Sequence, residues 1–128
     1  MGKHKTQPCP CGGQYYETCC ARFIVDGQTA ETAEQLMRSR YSAYVLANEA
    51  YLRQTWHVST RPNESIIQAE PVKWLGLEVL KHEHASGNKA QVEFVARYKI
   101  QGRAHRMHEV SDFVRENGLW FYVSGDVN

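Results

Sequence analysis

No run of the chain approaches the roughly 18 consecutive apolar residues that a membrane-spanning helix needs. The opening, MGKHKTQPCP, has no apolar segment of the kind a secretory leader carries. Charge of neither sign is in excess: 15 Lys and Arg stand against 14 Asp and Glu, a formal charge of +1. That balance removes the general electrostatic reason to expect nucleic acid or an anionic membrane as partner. Internal repeats and low-complexity tracts are missing, as are a Gly-rich phosphate loop, a Ser-His-Asp order and a paired carboxylate. Cysteine is absent from every position outside residues 9–20. The chain is therefore expected to be soluble and cytoplasmic, away from membrane, where structural disulfides are rare. MGKHKT fits a loose acylation pattern and Asn63-Glu64-Ser65 a glycosylation sequon, and both read as noise in such a chain.

What remains is ordinary globular composition, 42% hydrophobic and 11% aromatic over 128 residues, enough for one cored domain with a small appendage. The distinctive stretch is CPCGGQYYETCC, which holds all four cysteines. Cys9 and Cys11 form one clasp, and Cys19 and Cys20 form a second after seven intervening residues. Four thiolates suit a tetrahedral metal, and a site that fills every position from protein is structural. Pro10 restricts the loop, and Gly12 and Gly13 permit the fold-back that brings the clasps together. A disulfide between adjacent Cys19 and Cys20 would be strained, and a C-x-x-C redox motif ahead of a helix is missing. Zinc is the expected ion, with iron a chemically acceptable substitute. Its role would be to order a loop too poor in apolar residues to order itself.

Thr32 followed by Gln35 is a capping-box pattern. It opens a helical stripe of Ala33, Leu36, Met37, Tyr41, Tyr44 and Val45 that predicts a helix to about residue 47. Asn48 starts a second, shorter helix over EAYLRQTW, and residues 21–31 read as a connector with a turn at Asp26-Gly27. The period then becomes two. KWLGLEVLKHEH, AQVEFVARYKI, AHRMHEVSDFVR and LWFYVSGD read as four strands joined by short turns, with Val92, Phe94, Ala96, Tyr98 and Ile100 sharing one face. Helices followed by hairpins predict an α+β fold with helices packed on one face of a bent antiparallel sheet.

CPCGGQYYETCC resembles the SEC-C motif, best known from the tail of the SecA export motor, where a zinc loop serves as a docking surface. The commonest form of that motif has eight residues between its clasps, and this chain has seven. LMRSRYSAYVLANEAYLRQTWHVSTRP, WLGLEVL, VEFVARYK and LWFYVSGD resemble the YchJ family of bacterial SEC-C proteins, from Cys9 to Asp126. The resemblance implies a zinc knuckle over residues 1–24 followed by an NTF2-like cone over residues 25–128. Where the family more typically reads HERSRFVR, this chain has HEVSDFVR, so Val110 and Asp112 stand in place of two basic residues. A second cysteine cluster found at the end of many relatives is lacking.

An NTF2-like cone encloses a pocket, so polar residues on its apolar faces are the candidates. Arg40 lies on the core stripe of the first long helix, and Glu109 shares strand parity with Met107 and Phe113. The two are expected to meet near Trp56, His57 and Trp74, with Tyr44 on the same helical stripe. Such a pair reads as a polar anchor in an aromatic pocket or as a buried ion pair that fixes the fold. Tyr15 and Tyr16 on the knuckle are candidate contacts for a protein partner, which the resemblance places among proteins of export, translation or quality control. The leading expectation is a non-enzymatic docking or adaptor protein whose cone binds a ligand or partner. The alternative is a small-molecule enzyme with Glu109 or His57 as general acid–base. A third reading is weak RNA contact through MGKHK and the zinc loop.

Overall fold

A computed structural model describes residues 7–67 and 71–127; MGKHK lies outside them. The cysteine loop comes first and includes a 3₁₀ turn at Tyr16–Thr18. Residues 21–31 are not connector throughout. Ala21–Ile24 forms a helical turn, α1, with Ala21 and Phe23 buried, and Gly27 makes the expected turn at φ +74°.

Helix α2 spans Ala33–Val45. The Thr32 side chain accepts from the Gln35 amide at 3.1 Å, a cap worth about 1 kcal/mol. The Gln35 side chain accepts from the Glu31 amide at 2.7 Å, one residue upstream of the usual capping-box partner. The helix stops two residues before its expected end because Ala47 turns left-handed at φ +55°, and the Asn48 amide reaches back to the Ala43 carbonyl at 2.8 Å. Helix α3, Glu49–Gln54, is capped by Asn48 as the sequence predicts. It ends before Trp56 because Thr55 to His57 instead join the sheet edge: the Tyr122 amide donates to the Thr55 carbonyl, and the His57 amide to the Tyr122 carbonyl.

Strands β1 (Lys73–Ser86), β2 (Lys89–Ile100), β3 (Arg103–Glu116) and β4 (Leu119–Val127) form an antiparallel meander in chain order. Gln101-Gly102 and Asn117-Gly118 each place two consecutive residues at positive φ, the geometry that matches the right-handed twist of a two-residue hairpin. Register shifts near Gly76, Leu80 and Ala85 in β1, and another at Val123 in β4, bend the long strands. The curved inner face carries Ala90, Val92, Phe94 and Ala96, all buried.

Helix α2 is buried on more than one side, and its polar residues explain how. Ser39 donates to the Leu36 carbonyl and meets the Tyr51 hydroxyl, both at 2.7 Å. Ser42, fully enclosed, lies 3.7 Å from the Cys9 sulfur. One flank of α2 thus faces the cysteine loop while another faces the sheet. Cys9, Cys11 and Cys20 belong to the same continuous core as Leu36, Tyr41, Phe94 and Phe113.

Candidate functional site

The two clasps converge. The sulfurs of Cys9, Cys11, Cys19 and Cys20 all lie within 4.8 Å of one another, unbridged by disulfides, and Cys11 and Cys19 are 3.5 Å apart. A tetrahedral tetrathiolate with metal–sulfur bonds of about 2.3 Å sets its sulfurs about 3.8 Å apart, so the donors fit a metal ion. The Gly12 amide donates to the Cys9 carbonyl and the Cys9 amide to the Gly13 carbonyl, folding the first clasp back. Gly12 sits at φ +100°. Gly13 is required for space: a Cβ there would lie 2.6 Å from the Cys19 sulfur.

Thiols packed this closely cannot all ionise unless a cation offsets their charge. Hydrogen bonds from Cys11 and Cys20 hold the Cys9 thiol far below its ordinary value. Its bonds to Cys11 and Cys9 push Cys20 well up, and burial first, then Cys11, pushes Cys19 up to about 12. The loop is clamped from outside. Arg22 donates to the Cys19 carbonyl at 2.9 Å and Arg38, on α2, to the Cys11 carbonyl at 3.0 Å. Glu34 holds Arg38 at 2.9 Å and His82 of β1 at 3.0 Å, so helix, sheet and loop are tied through one carboxylate. The clamp was not legible from spacing, because Arg38 lies 27 positions from Cys11 and His82 lies 48 positions from Glu34, so these groups meet only after folding.

Tyr15 is exposed, as expected of a contact residue, but Tyr16 is half-buried and packs against the core. The fold-back draws Tyr16 inward: its amide donates to the Gln7 carbonyl at 2.9 Å.

The second site is a cavity of about 570 Å³ between α2 and the inner face of the sheet. Arg40, Tyr44, Trp74 and Glu109 all line it, with Met37 and Met107 on opposite walls. Trp74 is flanked by Tyr41, Tyr44 and Tyr98 at ring separations of 5.4–5.9 Å. Burial pushes the Tyr44 hydroxyl up. Burial, then Glu109, takes Tyr122 to about 12, so both phenols stay protonated.

The expected meeting of Arg40 and Glu109 is corrected. Among the described residues no ion pair joins them. Arg40 Nη1 donates to the Leu52 carbonyl at 2.8 Å and to the Thr55 hydroxyl at 2.7 Å. Its guanidinium lies 4.5 Å from the ring centre of Tyr122 and 5.1 Å from that of Trp56. Leu52 belongs to the last turn of α3, whose carbonyls lack helical partners, so the cation satisfies a helix terminus. Burial lowers the Arg40 pKa.

Glu109 takes its hydrogen bond from the neighbouring Ser111 hydroxyl. The carboxylate lies against Gly125 of β4, where a Cβ would collide with it. Ser111 and Gly125 escaped sequence reasoning. Ser111 shares the parity of Glu109 and could have been found by it; Gly125 could not, since its place opposite Ser111 depends on register.

Trp56 and His57 are not part of the cavity wall. Trp56 packs edge-on against Tyr122 at 4.9 Å. The His57 ring bonds Ser59 at 2.7 Å and Glu116 at 2.9 Å, because its backbone is bound to the far edge of β4. His108, which alternates with Glu109 along β3, meets Glu93 at 2.6 Å.

Residues 32–125 match the family model described as YchJ, middle NTF2-like domain. A UPF0225 protein of Methylibium petroleiphilum is 51% identical over 98% of this chain and 93% of its own length. Another, from Chromobacterium violaceum, is 52% identical over 96% and 95%. The solution structure of a SEC-C motif containing protein from Rhodopseudomonas palustris superposes with a TM-score of 0.85, at 32% identity over 94% of this chain and 98% of that one. A crystal structure of a SEC-C motif protein from Psychrobacter arcticus gives 0.76, at 30% identity over 94% and 82%. Curved meander, capping helices, cysteine cluster and these likenesses agree: the chain belongs to the YchJ family of SEC-C proteins with an NTF2-like domain.

Proposed function

We propose that this protein is a non-enzymatic binding protein of the cytoplasm, in which zinc on Cys9, Cys11, Cys19 and Cys20 braces helix α2 and the cone takes up a small organic ligand. The observation that carries the reading is the cavity itself: about 570 Å³, walled by aromatic and aliphatic side chains, with few polar groups. That is the size and make-up of small-molecule sites. Zinc fits the all-thiolate donor set and would supply folding energy and rigidity there, with no step of chemistry assigned to it.

Binding is favoured over catalysis by the polar inventory. His57 is turned away and engaged by Glu116, which removes one of the two acid–base candidates. Among the described residues the titratable neighbours of Glu109 are phenols held protonated and the Arg40 cation, none set to exchange a proton with it near neutrality. Native mass spectrometry of gently purified protein tests the reading against the denatured mass. One zinc ion plus a sub-stoichiometric small molecule is expected. A metal-free chain with reduced cysteines would contradict the zinc assignment.

The knuckle would also dock a protein partner of export, translation or quality control, a reading supported by the SEC-C likeness and by Tyr15. That side chain stands 39% exposed beside a clamped loop. A photocrosslinker at position 15 should capture one dominant species that the same group at exposed Gln28 does not. Equal capture from both would contradict docking there.

A further inference from the structure

We propose that the ligand of the cone is a small organic amine with a flat apolar body, its ammonium end bound by Glu109; the inference rests on the cavity being a ligand site. Glu109 is the acidic group of the cavity wall. One carboxylate oxygen accepts from Ser111, while among the described residues no Lys, Arg or His comes within ion-pair distance of the group. Arg40 is the cation of the same wall and is attracted to Glu109 through space, but its Nη1 is committed to Leu52 and Thr55 and its plane is spread over Trp56 and Tyr122. The remaining acceptor capacity of Glu109 therefore faces the cavity.

A ligand that fills the cavity displaces water from that carboxylate. It must bring its own donors, because a desolvated charge without them is costly. An anionic ligand would meet repulsion at the same point. The rest of the wall is suited to a ring system: Trp74 packs with Tyr44 and Tyr98, and Phe94, Met107 and Phe113 line the same cavity. Aromatic faces near an ammonium add cation–π attraction. The bare backbone of Gly125 lets the carboxylate lie flat against β4 and leaves the cavity open.

Calorimetric titration of the zinc-loaded protein with three probes of the same body tests this: tryptamine, 3-methylindole and indole-3-acetate. Tryptamine should bind at least about ten-fold more tightly than indole-3-acetate, with 3-methylindole between them. In Glu109→Gln that difference should collapse while 3-methylindole binds as before, which shows that the cavity is intact. Ser111→Ala, which keeps the charge, should retain the preference for tryptamine. Indole-3-acetate binding as tightly as tryptamine would overturn the amine assignment and leave the cavity standing as a ligand site. Binding of none of the three would overturn the ligand site and the amine with it. Should Glu109→Gln fail to fold, the comparison of probes on the unaltered protein still decides.

Discussion

Cys20→Ser should lose the metal and lower the unfolding free energy by about 3 kcal/mol or more, on the order of 10 °C in midpoint. The expectation goes beyond a frayed loop because Cys20 is 1% exposed and part of the central core. Cys9 touches Ser42, and Arg38 donates to the Cys11 carbonyl, so α2 packs against the ordered loop along one flank. Removing the ion leaves thiols whose charges cannot be balanced and a helix face without its cover. Amide exchange should therefore quicken in residues 9–24 and also along α2, at Arg38 and Ser42. Glu34→Gln is the milder counterpart: it loosens Arg38 and His82 together and should cost roughly ten-fold in metal affinity, the scale of groups that orient ligands. Unchanged α2 exchange in Cys20→Ser would mean that the knuckle is a detachable appendage.

Arg40→Ala should cost about 3–4 kcal/mol, whereas Arg40→Met should cost only about 1–2 kcal/mol. The two substitutions separate packing from charge. Arg40 is 5% exposed, and alanine removes its stem from between α2 and the sheet as well as its bonds to the Leu52 carbonyl and Thr55. Methionine keeps most of the volume and relieves the cost of burying a cation, so its net loss is smaller. Had Arg40 been held by Glu109, either substitution would strand a buried carboxylate, and methionine would cost nearly as much as alanine. Chemical denaturation of both variants checks the order. A loss of about 3 kcal/mol or more in methionine as well would restore the ion pair with Glu109.

The contrast shows where the sequence carried information. Thiol clustering is local, so the convergence of four sulfur donors was legible from twelve consecutive residues. Strand parity is also local, and it put Met107, Glu109 and Phe113 on one face, where they line the cavity. The asparagine cap at Asn48 and the Thr32 cap were readable for the same reason. What failed depended on how elements meet. Arg40 sits on the expected stripe of α2, but its partners are set by α3 crossing nearby, which no periodicity encodes. His57 left the cavity because Thr55 to His57 pair with β4 and end α3 early. Ser39 and Ser42 gave no sign of being core positions, since a serine on a helix is more often solvated. Here the tyrosine hydroxyl of Tyr51 and the sulfur of Cys9 supply the missing contacts.

The central claim, an open ligand cavity in a zinc-braced cone, is tested most directly by methyl NMR of the zinc-loaded protein during titration with small aromatic amines. Met37 and Met107 stand on opposite walls of the cavity and report on its occupancy. Both methyl signals should shift together and saturate while amides of the cysteine loop stay still. Static signals from Met37 and Met107 throughout the titration would contradict it.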